Sequence, residues 1–233
     1  VQTCALPISE SFHCDIPAER AEQARAAARI LGDEVWKRFP WSCGAEGGVV
    51  LPMATEPQQA LLNRTWRPTL SVTGAEGLPP LASAGNVLRP RTAFKLSLRL
   101  PPLVDAGAAA VALKQLLEQD APYSARVLFQ PDPGVASGWN APQSAPWLND
   151  ALDAASRRYF DAPCGYIGQG GTIPLMNLLR QGFPSAQFMV CGVLGPQSNA
   201  HGPNEFLHVP YARRLTAAVA QAMAVLPGAH GDA

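Results

Sequence analysis

The residues best suited to chemistry lie in one polar loop, Ser198-Asn199-Ala200-His201-Gly202-Pro203-Asn204-Glu205. An imidazole in such a loop can bind a metal ion, and a neighbouring carboxylate or amide can fix its ring or line the site, which gives Glu205 and Asn204 supporting parts around His201. Upstream, Gly168, Gly170 and Gly171 allow positive φ and close backbone approach to a ligand. Thr172 then precedes the apolar turn Ile173 to Leu179. Its hydroxyl can cap that helix or face a ligand, and the free N–H groups of the first turn can face an anion.

A second candidate sits in the first half of the chain. From Thr92 to Leu100, Ala93, Lys95, Ser97 and Arg99 alternate with Phe94, Leu96, Leu98 and Leu100, the pattern of a strand with one polar and one apolar face. Arg99 therefore projects from the polar face near the strand end. A guanidinium there either grips a carboxylate with its two-pronged donor or is a solvated charge on an open sheet. Asn86 lies just upstream, in the segment leading into this strand.

These segments carry a resemblance. GGTIP, followed later by SNAHGPNEF, is similar to the C-terminal signature of the M20 family of metallopeptidases, which includes carnosinase-like zinc dipeptidases and amidohydrolases. LNRTWRPTLSVTG, AGNVLRP and KLSLRLPP extend the likeness upstream to about residue 10, in the same order. The resemblance implies that His201 is a metal ligand, that Thr172 and Arg99 contact the substrate, with the Gly170 and Gly171 backbone presenting N–H groups, and that Asn86 lies near the scissile group. It further implies one or two zinc ions, or other divalent metals in their place, in a complete enzyme. A metal-activated water would hydrolyse a peptide or amide bond of a small carboxylate-bearing substrate, such as a dipeptide, an N-acyl amino acid or an N-carbamoyl compound.

A hydrolytic zinc site needs about three protein ligands and an open position. The chain has four histidines, His13, His201, His208 and His230. His-x-Asp occurs as His13-Cys14-Asp15 and His230-Gly231-Asp232, near the two ends of the sequence, and there is no Glu-Glu pair; Asp33-Glu34 is adjacent but falls in a predicted helix without histidine support. One ligand, His201, is thus expected here, with no catalytic residue in the chain and the rest of the centre outside it. The isolated chain is expected to be inactive. The rival reading is a catalytically incomplete dimerisation or interaction module. His208, between Leu207 and Val209, reads as structural, His13 as an ordinary surface or core residue, and His230 as part of the tail.

Composition narrows the field. With 18 basic and 18 acidic residues among 233, there is no electrostatic case for nucleic acid or an anionic membrane. No apolar run reaches the roughly 18 residues of a membrane span. Trp66, Trp139 and Trp147 do not alternate with basic residues, so a base-stacking platform has little support. No Gly-Lys-Ser/Thr follows the glycines at 165 to 171, which argues against a phosphate loop. Five cysteines without paired ligand spacing read as reduced thiols of a cytoplasmic protein. Val1 to Ile8 resembles the translation of a sequencing-library adapter, so residues 1–9 read as a non-native leader.

The elements that must position these groups suit an α/β protein. Helices are expected over Ala18 to Ile30, Asp33 to Phe39, Gln58 to Asn63, Asp105 to Gln119, Trp147 to Tyr159 and Tyr211 to Leu226. Strands are expected over Thr65 to Thr73, Thr92 to Leu100, Ala125 to Gln130 and Gln187 to Leu194, the last nearly continuous in apolar residues as if covered on both faces. By the resemblance, residues 10–130 are an incomplete two-layer α/β lid domain that forms a homodimer. The Pro- and Gly-rich stretch 131–146 is a crossover loop, and residues 147–233 are the C-terminal part of the catalytic domain.

Overall fold

The computed structural model of the chain describes residues 9–39, 41, 48, 50–169, 173–195 and 197–226. The chain forms two compact units, each assembled from separated stretches. The first combines residues up to Ala18 with Leu62–Asn140 and Gly168–Leu178; the second combines Glu19–Leu61, Ala141–Ile167 and the chain from Leu179 onward. In chain order the helices are α1 (Ala18–Leu31), α2 (Glu34–Lys37), α3 (Pro57–Trp66), α4 (Ala106–Glu118), α5 (Pro146–Phe160), α6 (Pro174–Gly182) and α7 (Val209–Ala224), with strands β1 (Thr69–Glu76) and β2 (Ala93–Arg99) between α3 and α4.

In the first unit β1 and β2 form an antiparallel pair in which Thr69 faces Arg99 and Glu76 faces Ala93, with an irregularity between Val72 and Gly74. Alternation along β2 sends Leu98 inward, and Leu100 follows it. Both pack on a cluster of Phe12, Val104 and Ala109 that also receives Ala112 and Leu113 of α4. Phe12 is 0% exposed. Burying such a ring contributes on the order of 2–3 kcal/mol. Helix α4 starts where its cap dictates: the Asp105 carboxylate accepts the Ala108 N–H at 2.6 Å. Beyond it, the stretch 131–145 carries no helix or strand. It is tied back by Ser137, whose Oγ accepts the Ala106 N–H at 3.1 Å, and by Asn177, whose Nδ2 donates to the Gly138 carbonyl at 3.2 Å.

In the second unit α5 packs on α7, with Leu148, Ala151, Leu152 and Ala222 forming a buried cluster joined by Trp147, Cys164, Tyr166 and Met189. Phe160 and Tyr211 meet at 5.2 Å between ring centroids, tilted by 50°, a favourable aromatic geometry. Helix α5 ends at Asp161, whose φ of 56° is left-handed and whose N–H closes on the Arg157 carbonyl. The chain then returns along α5: the Cys164 N–H donates to Asp153 Oδ1 at 3.0 Å and the Tyr166 hydroxyl to Asn149 Oδ1 at 2.6 Å.

Three sequence expectations fail here. Residues Thr65 and Trp66 belong to α3, which runs on to Trp66, so β1 begins only after Pro68. A proline lacks the N–H that a ladder needs, which accounts for the later start. Ala125 to Gln130 forms no ladder; the Phe129 N–H donates instead to Glu118 Oε1 at 2.7 Å, so a carboxylate takes the group a strand partner would have used. Gln187 to Leu194 likewise forms no strand, and Val190 and Leu194 are exposed. Its apolar, β-rich composition suits a strand, but a strand exists only beside another, and the described strands β1 and β2 pair with each other.

Two tests follow from this packing. A Cβ added at Gly138 would lie 2.6 Å from Pro102 Cα, a backbone atom, whereas at Gly134 nothing lies within 4 Å. Gly138→Ala is therefore expected to destabilise by about 1–3 kcal/mol in urea unfolding, with Gly134→Ala near neutral; equal midpoints for the two variants would contradict the close approach. Asp153 is held below the usual carboxylate range by the Arg157 guanidinium and the Cys164 N–H. Its contribution is present above the unfolded-state value and is lost as pH falls through the depressed folded-state value. Asp153→Asn should melt below wild type at neutral pH, with the gap closing in acid; a gap constant with pH would refute the linkage.

Candidate functional site

His201 sits at the tip of a loop whose backbone is left-handed at four described positions. Gln197, Asn199, His201 and Asn204 have φ of 67°, 55°, 63° and 58°, a region that side-chain-bearing residues enter at a cost. The loop is held by its own polar groups. The Gly202 N–H donates to the Asn199 carbonyl at 2.9 Å, and the Phe206 N–H to the Ser198 carbonyl at 3.2 Å. The Asn199 amide donates to the Pro203 carbonyl. Glu205 does stand beside His201, but its Oε2 accepts the backbone N–H of His201, at 3.0 Å. A carboxylate bound to main chain fixes where the imidazole leaves the loop.

His208 is accounted for differently. Its Nδ1 accepts the Tyr211 N–H at 3.1 Å and caps α7. The ring is committed to satisfying a helix terminus, a structural part that agrees with its apolar neighbours in sequence.

Arg99 and Asn86 belong to the first unit, and His201, Asn204 and Glu205 to the second. Arg99 is exposed at the last position of β2, facing Thr69 at the open end of the hairpin. Asn86 is exposed in the connection that leaves the other end, beyond the Glu76–Ala93 pair. There the Val87 N–H donates to the Gly85 carbonyl at 2.9 Å, closing a three-residue turn around it. Gly170, Gly171 and Thr172 lie outside the described residues.

The burial of Ser198 was not visible in the sequence. A serine beside an asparagine in a loop is ordinary turn composition, and no periodicity marks it as buried. Yet it is 2% exposed.

His201 is a chemically suitable metal ligand, but among the described residues no three His, Cys, Asp or Glu side chains converge as a metal site requires. No chemical step through a metal can be assigned to them.

No protein-family model matches the chain. Over 152 residues it is 28% identical to a cysteinylglycine-S-conjugate dipeptidase of Corynebacterium striatum, an alignment that covers 63% of this chain and 33% of that protein. Its fold is similar to human carnosine dipeptidase 1, with a TM-score of 0.62 at 18% identity over 94% of this chain and 45% of the other. An M20 family metallo-carboxypeptidase from Sulfolobus solfataricus gives 0.62 at 19% identity, over 94% and 47% respectively. The di-peptidase Dug1p of Saccharomyces cerevisiae gives 0.58 at 15%, over 93% and 44%. The chain thus spans about a third of the curated relative and under half of each solved structure. Over that portion of their length, it has the mixed α/β fold of the M20-family dipeptidases.

Proposed function

We propose that this chain is the C-terminal portion of a zinc-dependent M20-type dipeptidase or amidohydrolase acting on a small carboxylate-bearing substrate, a dipeptide or an N-acyl amino acid. The observation that carries this reading is the dipeptidase fold over nearly the whole chain. Residue roles rest on the local motifs. His201 supplies one metal ligand, its place on the loop fixed through the Glu205–backbone bond, with Asn204 lining the same loop. Arg99 binds the substrate carboxylate, because a guanidinium presents paired N–H donors to paired oxygens. Asn86, Thr172 and the N–H groups of Gly170 and Gly171 bind the substrate's carboxylate or the developing oxyanion. A bound zinc would act as a Lewis acid. No catalytic acid or base is assigned to this chain.

A second reading, a catalytically incomplete module that forms a homodimer, draws on the first unit. Val72 and Phe94 are exposed on its two-stranded sheet, and apolar side chains on a sheet with open edges favour pairing with a second copy. In either case the protein is assigned to the cytoplasm, on the strength of free thiols at Cys14, Cys164 and Cys191. No helix of the described residues is long and apolar enough to cross a membrane.

The purified chain, supplied with zinc, is expected to leave a panel of dipeptides intact and to lose its zinc on dialysis. Zinc-dependent hydrolysis abolished by His201→Ala would overturn that expectation; an inactive chain sedimenting as a dimer would favour the second reading. In a full-length M20 enzyme that carries this sequence, Arg99→Ala should lower kcat/KM by about 10- to 100-fold, the range for a lost charge-assisted hydrogen bond. An unchanged kcat/KM would remove Arg99 from substrate binding.

A further inference from the structure

The loop that carries His201 is exposed along most of its length, whereas Ser198 within it is 2% exposed. A hydroxyl withdrawn from water must recover its hydrogen bonds or cost the fold dearly. Ser198 recovers both from one residue. Its Oγ donates to the Gly195 carbonyl at 2.6 Å and accepts the Gly195 N–H at 2.8 Å. The Ser198 N–H adds a third bond to the Gly195 carbonyl, at 3.2 Å, and the Ser198 carbonyl receives the Phe206 N–H at 3.2 Å. The outgoing and returning limbs of the loop are therefore both fastened at this residue.

What lies between them needs fastening. Asn199, His201 and Asn204 all hold left-handed backbone, and each such residue persists only where its surroundings over-determine it. The Glu205 carboxylate fixes the tip through the His201 N–H. Ser198 fixes the base.

We propose that Ser198 is a positioning residue whose buried hydroxyl latches the base of the loop and thereby holds the His201 backbone, and with it the direction of the imidazole. The proposal deepens the reading of His201 as a metal ligand, but the latch can be tested without a metal.

The test is backbone amide hydrogen exchange and the His201 Cα chemical shift, measured by NMR on the whole chain. In Ser198→Ala, exchange at His201, Gly202 and Phe206 is expected to be about tenfold faster or more and the His201 Cα shift displaced, while amides in the middle of α5 keep their protection. Ser198→Thr, which restores a hydroxyl, should recover much of the loss. Exchange at the three loop amides within about twofold of wild type in Ser198→Ala would overturn the proposal. A measurement on wild type alone guards against a variant that does not fold. One latch implies similar protection at Gly195 and Phe206, and a difference of more than about tenfold between them would also overturn it. The ligand reading is tested separately in a full-length M20 enzyme that carries this sequence, where His201→Ala is expected to lower the zinc retained after dialysis. Unchanged zinc content there would sink that reading alone, whereas unaltered exchange in Ser198→Ala would sink the latch whatever the metal does.

Discussion

Close contact between α5 and α7 is the constraint on which the second unit depends. Ala151 and Ala155 on α5 and Ala218 and Ala222 on α7 are all buried. Small side chains at a helix contact bring the axes toward the near end of the usual 8–10 Å range. With α7 held in this way, its first turn is fixed, and His208 closes that turn by accepting a backbone N–H. The strained loop ahead of it therefore ends on a rigid element. At the other side of the contact, α5 offers Asn149 and Asp153 as anchors for the returning chain at Tyr166 and Cys164. Alanine packing, capping and loop position are successive links of one chain of cause.

The first unit is organised on a different principle. Its sheet has two strands, too few to be stable alone, and it gains a core because Phe12, from the start of the described chain, fills the space beside α4 and β2. Arg99 owes its place to this packing. With Leu98 and Leu100 directed inward, the pleat sends Arg99 to the other face. The candidate carboxylate-binding group and the candidate metal ligand are thus carried by units with separate cores, and their positions respond to separate sets of substitutions.

How much of this could be read from sequence depended on how local the cause was. Asp105 announced the start of α4, and the side chain does make the cap. The alternation from Ala93 to Arg99 announced β2, because pleating depends on neighbours along the chain. Pairing does not. Gln187 to Leu194 and Ala125 to Gln130 have strand composition without ladder partners, and composition alone cannot reveal what lies alongside. His201 stood out because its polar loop follows an apolar run, whereas the burial of Ser198 arises from the folded loop and left no mark in the residue order. The Glu205 contact was half legible: proximity to His201 followed from spacing, but its choice of the backbone N–H over the ring did not.

The bond from Glu118 to the Phe129 N–H has a consequence for how the molecule behaves in company. Leu128, beside it, is 65% exposed in an apolar stretch, the sort of segment onto which another chain can add a strand. By occupying one N–H in that row, the carboxylate removes a rung that an incoming strand would need. Hydrogen bonds from Lys114 and from that N–H hold the Glu118 carboxyl below its ordinary value, so the rung stays blocked into moderately acidic solution. A side chain that contributes little to the core thus takes up a backbone donor that another chain would otherwise find free.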